Sequence, residues 1–292
     1  MEQEICIIDA FAHGPFTGNQ AAICPLKFDQ DYDDTFLLNI AREMNLSETA
    51  YIKILKDGDT FDKSSKFGLR WFTPETEVPL CGHATLASAA SLFYTLGNKN
   101  EEIEFVTRKS GSLFARKHGE GITISLPLDK TLERIESIEG DWKIVCDEVS
   151  GNLPIEGVYL SKNLKYGLVH LKDSVSAEEF EAFTPNFHRL LNTSVTEWIS
   201  VTMKGDKFKD KEGKSYDFVS RMFAPWLGVN EDPVTGSAHT TLSSFWSDIL
   251  NKKKMRARQG RARKGTVNIS VLDDRVELTG NAQVTLKGHL LL

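Results

Sequence analysis

Three titratable side chains, each in its own short motif, are candidates for moving a proton on a small substrate. They are Glu48, His83 and Asp232. A carboxylate or an imidazole within reach of a carbon-bound proton can remove it as a general base and return it as an acid. The chemistry that these residue types indicate is proton transfer, and it requires no metal or organic cofactor.

One pattern of residues occurs twice in the chain. Residues 70–74 (Arg-Trp-Phe-Thr-Pro) and 77–84 (Glu-Val-Pro-Leu-Cys-Gly-His-Ala) are matched in the second half by residues 221–225 (Arg-Met-Phe-Ala-Pro) and 231–238 (Glu-Asp-Pro-Val-Thr-Gly-Ser-Ala). Self-similarity at this distance predicts two related halves, with a site where the two copies face each other.

The second part of each copy contains a glycine, Gly82 or Gly236, that opens an apolar segment of helical length. The first backbone N–H groups of a helix have no partner within it, and together with the helix dipole they attract an anion. Two such helix starts could hold a substrate carboxylate and stabilise the enolate that forms when the neighbouring carbon loses a proton. Polar residues beside the glycines, Cys81, Thr235 and Ser237, would contact that substrate.

Each titratable residue also has a structural interpretation, and the sequence leaves the choice open. A lone histidine is more often a satisfied polar residue than a catalyst, although a helix start favours a neutral imidazole at His83. Asp232 precedes a proline and so lies on extended backbone, where it could simply cap the next turn. Glu48 follows a helical segment and is either an exposed turn residue or a proton shuttle that points into the site.

Hydrophobic periodicity predicts the elements that position these residues. Amphipathic spacing predicts a helix at 33–44, and two apolar stretches nearly free of charge predict buried helices at 83–96 and 238–250. Strands are predicted at 5–12, 49–55, 67–72, 103–107, 112–117 and 122–126, and then at 158–160, 166–171, 198–203, 217–223, 266–271, 275–278 and 283–286.

These elements predict an α+β fold of two pseudo-symmetric lobes, each a mostly antiparallel β-barrel around a central apolar helix. We expect an N-terminal lobe at 1–125, which a strand near the C-terminus completes, and a C-terminal lobe at 126–292, with an active-site cleft between them. The glycine-bounded segment 151–157 is predicted to be the crossing between lobes.

Composition restricts the class of protein. Hydrophobic residues make up 40% of the chain and charged residues 26%; no long apolar run and no signal peptide is present, so we expect a cytoplasmic protein that does not enter membranes. The net charge of −6 argues against nucleic acid as a partner. The four cysteines (Cys6, Cys24, Cys81 and Cys146) form no Cys-x-x-Cys pair, which predicts free thiols and neither disulfides nor a metal site.

A basic stretch at 252–264 is the local exception to the acidic charge. Cations are favoured at the end of a helix, so a solvated face or turn is the leading interpretation. Contacts from Arg258 or Gln259 to an anionic substrate are one alternative. Nucleic-acid binding is another, although no aromatic residue interleaves the charges.

Four ordered motifs, spread over nearly the whole chain, resemble those of the phenazine biosynthesis protein PhzF family. Segments around Glu48 and Cys81 are most similar to the animal branch of that family. The four motifs are residues 16–19 (Phe-Thr-Gly-Asn), 45–49 (Asn-Leu-Ser-Glu-Thr), 70–84 and 231–238.

The resemblance implies the diaminopimelate epimerase-like fold and an isomerase that needs no cofactor. In the phenazine enzyme, the glutamate of the Asn-Leu-Ser-Glu-Thr motif moves a proton between carbons of a dihydro-hydroxyanthranilate. That role carries over to Glu48, with His83 and Asp232 assisting. The physiological substrate stays open, as a small carboxylated metabolite, and a homodimer is expected on family grounds.

The same resemblance assigns substrate contacts. The carboxylate of the substrate would be bound at the helix starts by Gly82, Gly236 and Ser237. Asn19 and Ser47 would line the pocket.

The chain departs from related racemases beside one of its glycines. Diaminopimelate epimerases and proline racemases place a cysteine before each helix glycine, whereas this chain has Cys81 and Thr235. A threonine hydroxyl is a poor base at neutral pH, which disfavours two-base racemisation. A Cys81-dependent dehydratase or epimerase of an amino or hydroxy acid is the first alternative to a Glu48 isomerase, and a non-catalytic binding module is the second.

Overall fold

Two units make up the chain in this computed structural model, which describes residues 2–292. The segment Val234–Ser237, which contains the second motif glycine, belongs to the first unit although the chain on both sides of it belongs to the second. The first unit consists of the chain up to Leu126, Val234–Ser237 and Glu277–Leu292, and the second of Pro127–Pro233 and Ala238–Val276.

The first unit is a sheet with one buried helix and one amphipathic helix. With strands and helices numbered in chain order, its elements are β1 (Glu2–Ala10), β2 (Asn19–Leu26), α1 (Asp34–Met44), β3 (Glu48–Ile54), β4 (Lys66–Phe72), β5 (Glu77–Val78), α2 (Gly82–Ala90), β6 (Glu102–Val106), β7 (Ser112–His118), β8 (Gly121–Pro127) and, from the C-terminus, β18 (Ala282–Leu291).

Helices account for the parallel pairs in this sheet. Strands β2 and β3 are parallel because α1 carries the chain back between them, and β4 and β6 are parallel because α2 does the same. The pairs β1–β2, β3–β4, β4–β5, β6–β7 and β7–β8 are antiparallel. The C-terminal strand β18 pairs antiparallel with β1, so both ends of the chain lie in this unit.

Helix α2 is the centre of the first unit. All nine of its residues are buried, and it packs against β1, β2, β3 and β7. Its few polar side chains bond back to its own backbone: Thr85 Oγ1 donates to Cys81 O at 2.6 Å and Ser88 Oγ to Ala84 O at 2.7 Å. The predicted buried helix is thereby confirmed, although at Ser91 it changes into a π-helical turn that ends at Thr95.

The second unit repeats this order of elements. Its elements are β9 (Leu132–Arg134), α3 (Asp141–Ser150), β10 (Ile155–Ser161), β11 (Tyr166–Leu171), α4 (Ala177–Ala182), α5 (Phe187–Leu190), β12 (Trp198–Lys204), β13 (Phe218–Ala224), β14 (Val229–Asp232), α6 (Ala238–Leu250), β15 (Lys254–Gln259) and β16 (Gly265–Val271). The next strand, β17 (Arg275–Gly280), begins in the second unit and continues into the first at Glu277.

The pairing of these strands matches that of the first unit step by step. Strands β11 and β12 are parallel across α4 and α5, as β2 and β3 are across α1. Strands β13 and β15 are parallel across α6, as β4 and β6 are across α2. The antiparallel pairs β10–β11, β12–β13, β13–β14 and β15–β16 also have counterparts. The predicted α+β class with two similar halves is therefore confirmed.

Helix α6 is the apolar centre of the second unit, with the bounds that the sequence predicts. Trp246 stacks on Phe218 of β13 with ring centroids 5.5 Å apart and lies edge-on to His170 of β11 at 5.1 Å. Its indole Nε1 donates to Thr202 Oγ1 at 2.9 Å, which satisfies the one polar atom of a fully buried ring.

Five strands and one crossing differ from the sequence prediction: the strands β2, β5, β9, β14 and β15 were not predicted. Strand β2 escaped notice because Asn19 and Pro25 interrupt its apolar run, and β15 because its charges resemble a turn. The crossing predicted at 151–157 is wrong, since Gly151 ends α3 in the left-handed conformation and the chain continues into β10 of the same unit.

The basic stretch lies largely on β15 and the turn that follows it, and several of its charges are paired. Arg256 binds Asp210, and Arg258 and Lys264 both bind Glu181 of α4. These contacts favour the structural interpretation of the stretch. Among the helices of residues 2–292, none combines the length and the apolar character that a membrane span requires.

Candidate functional site

Both copies of the repeated motif contain the same ion pair. Arg70 Nε and Nη2 bond to the two carboxylate oxygens of Glu77, each at 2.8 Å, and Arg221 bonds to Glu231 in the same bidentate way at the same distances. The pairs link β4 to β5 and β13 to β14, the short strands that lead towards the motif glycines. The sequence analysis did not predict these ion pairs, although the repeated spacing of arginine and glutamate was a signal for them.

The two motif glycines lie backbone to backbone within the first unit. A β-carbon added to Gly82 would lie 2.6 Å from Gly236 Cα, and one added to Gly236 would lie 2.6 Å from Gly82 Cα. The backbone nitrogens of Ser237 and His83 lie beside this contact, 3.1 and 3.0 Å from those positions. Only glycine allows so close an approach at both positions.

Helix α2 begins without a side-chain cap. Its N-cap is Cys81, on extended backbone, and the Cys81 side chain accepts no capping hydrogen bond. The first turn therefore lacks a capping hydrogen bond, and no acidic residue lies in that turn. Such an end can accept an anion.

Glu48 and His83 meet beside this helix start. Glu48 begins β3, opposite Ala21 of β2, and His83 is the second residue of α2. His83 Nε2 lies 3.1 Å from Glu48 Oε2, and neither atom bonds to any other group among residues 2–292. Both residues are buried, with 2% of His83 and 7% of Glu48 exposed. A proton must therefore lie between these two atoms, because a carboxylate and an imidazole lone pair would repel each other.

Asn19 and Ser47 extend this set. The Asn19 Nδ2 group donates to Val234 O at 3.0 Å and lies 3.1 Å from His83 Nδ1. Ser47 Oγ donates to Asn19 Oδ1 at 3.1 Å. The motif residues 19, 47 and 83 thus form one hydrogen-bonded group that includes Val234 O, and Glu48 lies beside it at His83 Nε2.

Cys81 lies near Nδ1 of the His83 ring, whereas Glu48 lies near Nε2. Its Sγ is 3.5 Å from His83 Nδ1. Burial raises the pKa of the Cys81 thiol to about 11; the charge of Glu48 adds to this effect, and His83 opposes it. For His83, burial lowers the pKa, but the acidic neighbours Cys81 and Glu48 raise it by more. The three groups compete for few protons, as coupled sites do.

Glu48, Cys81 and His83 are also the set that could ligate a metal ion. One donor atom from each lies within 4.8 Å of the others, and all three residues are buried. A structural zinc site uses four protein ligands and a catalytic one three. The absence of a metal cofactor stays a prediction.

The remaining candidates lie on the second motif. Thr235 and Ser237 are buried and belong to the first unit with Gly236. Asp232 ends β14 in the second unit, is 4% exposed, and accepts a hydrogen bond from Gln259 Nε2 at its backbone oxygen. The catalytic role of Asp232 stays a prediction.

The topology of the two units and the contact between the motif glycines define a protein of the diaminopimelate epimerase-like fold. The chain belongs to the phenazine biosynthesis-like protein family, whose model matches residues 8–288. It is 44% identical to the phenazine biosynthesis-like domain-containing protein of Bos taurus, over 99% of each chain. The family expected from the four motifs is confirmed.

Two further relatives match this chain over their full length. The chain is 41% identical to a Pseudomonas aeruginosa protein named an uncharacterized isomerase, with 100% of both chains covered. The crystal structure of a PhzF family protein from Enterococcus faecalis aligns with a TM-score of 0.83 at 35% identity, again over 100% of both chains.

Proposed function

We propose that this protein is a cofactor-independent isomerase that moves a proton on a small carboxylated metabolite. Glu48 is the shuttle: it takes a proton from one carbon and returns it to another. A bacterial relative at 41% identity carries the name of an isomerase, which supports this class of reaction. A cytoplasmic location and a homodimer stay predictions.

The contact between His83 and Glu48 carries the proposal. A buried carboxylate normally requires a cation or several donors, yet Glu48 Oε2 has His83 Nε2 as its single neighbour for a hydrogen bond among residues 2–292. Such a group can accept a proton from substrate without first breaking several hydrogen bonds. A purely structural glutamate at this position would gain more from full pairing.

The start of helix α2 would stabilise the negative charge that this proton transfer creates. When Glu48 removes a proton beside the substrate carboxylate, negative charge moves onto the carboxylate oxygens. The backbone N–H groups of His83 and Ser237, beside the Gly82–Gly236 contact, are fixed donors for that charge. Charge stabilisation by preorganised donors lets the reaction proceed through an enolate-like intermediate.

The experiment compares Glu48→Gln with Cys81→Ser on a panel of small unsaturated carboxylic acids in D2O. NMR follows isomer formation, and mass spectrometry follows deuterium uptake. We expect Glu48→Gln to reduce turnover by about 10²–10⁴-fold, the usual contribution of a general base. Cys81→Ser should keep most of it.

The two alternatives predict other outcomes. A Cys81-dependent dehydratase or epimerase would lose turnover in Cys81→Ser and keep it in Glu48→Gln. A binding module would produce neither isomer nor deuterated acid from any member of the panel, and the proposal would then be wrong.

A further inference from the structure

Asn19 has an orientation that its neighbours fix. A carbonyl oxygen can only accept, so the group 3.0 Å from Val234 O must be the amide Nδ2. Ser47 Oγ, which donates at 3.1 Å, marks the other side of the amide as the oxygen Oδ1. Asn19 is 2% exposed, so it cannot turn over without breaking both contacts.

This orientation decides where the protons of His83 lie. With Nδ2 donating to Val234 O, its second hydrogen can be donated to His83 Nδ1, 3.1 Å away. A nitrogen that accepts a hydrogen bond carries no proton of its own. Nδ1 is therefore a lone pair, and the ring proton is on Nε2, between the ring and Glu48 Oε2.

We infer that Asn19 is a positioning residue that holds His83 as the neutral Nε2–H tautomer. In that tautomer the Nε2–H group faces Glu48 Oε2, 3.1 Å away. The Asn19 donor at Nδ1 opposes the second ring proton, which Cys81 and Glu48 favour by raising the His83 pKa. Asn19 is thereby assigned to His83, not to the substrate contact that the family resemblance implied for it. The inference about the position of the ring proton does not depend on the proposed function. Its consequence for catalysis rests on the function proposed above.

The same hydrogen bond keeps Cys81 a thiol. To become a thiolate, Cys81 would have to pass its proton to His83 Nδ1, 3.5 Å from its Sγ. The Asn19 N–H occupies that lone pair, so proton transfer requires that the Asn19–His83 bond break first. Asn19 therefore selects proton chemistry at Glu48 over thiolate chemistry at Cys81.

The direct test is the ¹⁵N NMR spectrum of the His83 ring near neutral pH, without substrate. Absence of the His83 signals from a His83→Gln spectrum assigns them. We expect a protonated Nε2 and an unprotonated Nδ1. A ring protonated on Nδ1, alone or on both nitrogens, would overturn the inference whatever the protein catalyses.

Variants of Asn19 test whether its amide determines which ring nitrogen of His83 carries the proton. Asn19→Asp replaces the donor by an acceptor of the same shape and should shift the Nδ1 signal to the protonated region. Asn98→Asp is the matched control: this amide is equally buried and donates to Phe61 O and Ser64 O. It should leave the His83 signals unchanged. Unchanged signals in Asn19→Asp as well would contradict the assignment.

A milder variant covers the case in which Asn19→Asp does not fold. Ser47→Ala removes the hydroxyl that orients the Asn19 amide, and should broaden or shift the Nδ1 signal partway. It should also raise the thiolate absorbance near neutral pH, a rise that a second change, Cys81→Ser, removes. If the Ser47→Ala spectra equal the wild type in both respects, the inference fails.

Measurements of activity distinguish a failure of the inference about Asn19 from a failure of the proposed function. On a substrate found with the panel above, Ser47→Ala should lower kcat and leave KM nearly unchanged, because Asn19 acts on His83 and not on the substrate. A rise in KM alone would return Asn19 and Ser47 to substrate binding. If the tautomer is as expected and no acid of the panel reacts, only the proposed function fails.

Discussion

Gly82 and Gly236 touch through their backbones, at positions where any β-carbon would lie 2.6 Å from the opposite Cα. One glycine opens α2 and the other lies in the short segment that the first unit takes from the second half of the chain. The contact therefore ties the two copies of the motif together. It also places the backbone nitrogens of His83 and Ser237 beside the contact, 3.0 and 3.1 Å from those β-carbon positions.

Alanine at either glycine should destabilise the protein. In Gly82→Ala the new methyl group meets backbone, which cannot rotate away, so we expect a loss of about 1–3 kcal/mol in the free energy of unfolding. Urea denaturation measures it. Gly288→Ala is the control, since nothing lies within 4 Å of its β-carbon position, and it should change stability by less than about 0.5 kcal/mol. Equal effects of both variants would show that the glycine contact can relax.

The two arginines of the motif should differ in their contribution to stability although their ion pairs match. Arg221 has no exposed side-chain surface and also donates to Phe180 O and Phe183 O. Arg221→Met removes a fully buried guanidinium and leaves the carbonyl oxygens of Phe180 and Phe183 without this donor, so it should cost about 1–3 kcal/mol.

Arg70→Met is the matched comparison. The Arg70 and Glu77 side chains are 17% and 22% exposed, and Arg108 lies 3.3 Å from Glu77 as a second partner. Water and Arg108 can therefore serve Glu77, and we expect a loss of about 0–1 kcal/mol. Urea denaturation of both variants gives the comparison. A loss from Arg70→Met as large as that from Arg221→Met would contradict this account.

His170 should make the second unit sensitive to acid. Its ring lies against Phe245 and Trp246, and its Nε2 has no hydrogen-bond partner within residues 2–292. Burial lowers the pKa of His170; Asp173 and the other nearby acidic residue, Glu156, raise it by less, and Lys204 lowers it further.

The lowered pKa of His170 determines the direction in which stability changes with pH. Above about pH 6.5, where an unfolded histidine titrates, both states are neutral and His170 contributes no pH dependence. Below it the unfolded chain binds a proton that the folded chain does not, so stability falls as the pH falls towards the folded pKa. Between neutral pH and about pH 5, wild type should lose more stability than His170→Phe, by at most about 1.4 kcal/mol per pH unit. Parallel stability curves would show that His170 is protonated without strain.

Local patterns were sufficient to predict much of the fold. The helix predicted from Asp33 is α1, with Asp33 as its N-cap accepting from Phe36 N at 2.7 Å, and the apolar stretch from 238 is α6. Each depends on spacing within a few residues, which a single sequence displays. The π-helical turn at Ser91–Thr95 depends on packing around α2, and no local signal marks it.

Contacts between distant residues were not predictable from spacing. Glu48 and His83 were candidates separately, but their 3.1 Å approach results from the placement of β3 beside α2. Asn19 was assigned to the pocket by resemblance, and its bond to His83 depends on β2, a strand that the sequence did not reveal. The arginine–glutamate pairs likewise depend on hairpin register.

The thiols give the sharpest distinction between the Glu48 and Cys81 mechanisms. All four cysteines are buried; burial raises the pKa of Cys81 to about 11 and that of Cys146 to about 12, and the pKa values of Cys6 and Cys24 are raised as well. Near pH 8, roughly one Cys81 in a thousand is ionised at such a pKa, and only the thiolate attacks a disulfide reagent.

We therefore expect the native protein to react slowly with an aromatic disulfide reagent near pH 8, and all four thiols to react rapidly once urea unfolds it. Absorbance of the released thiolate counts them. One fast thiol in the native protein that is missing from Cys81→Ser would show that Cys81 is ionised in the folded state. His83 would then hold the proton on Nδ1, and the Cys81-dependent reaction would become the better account of the site.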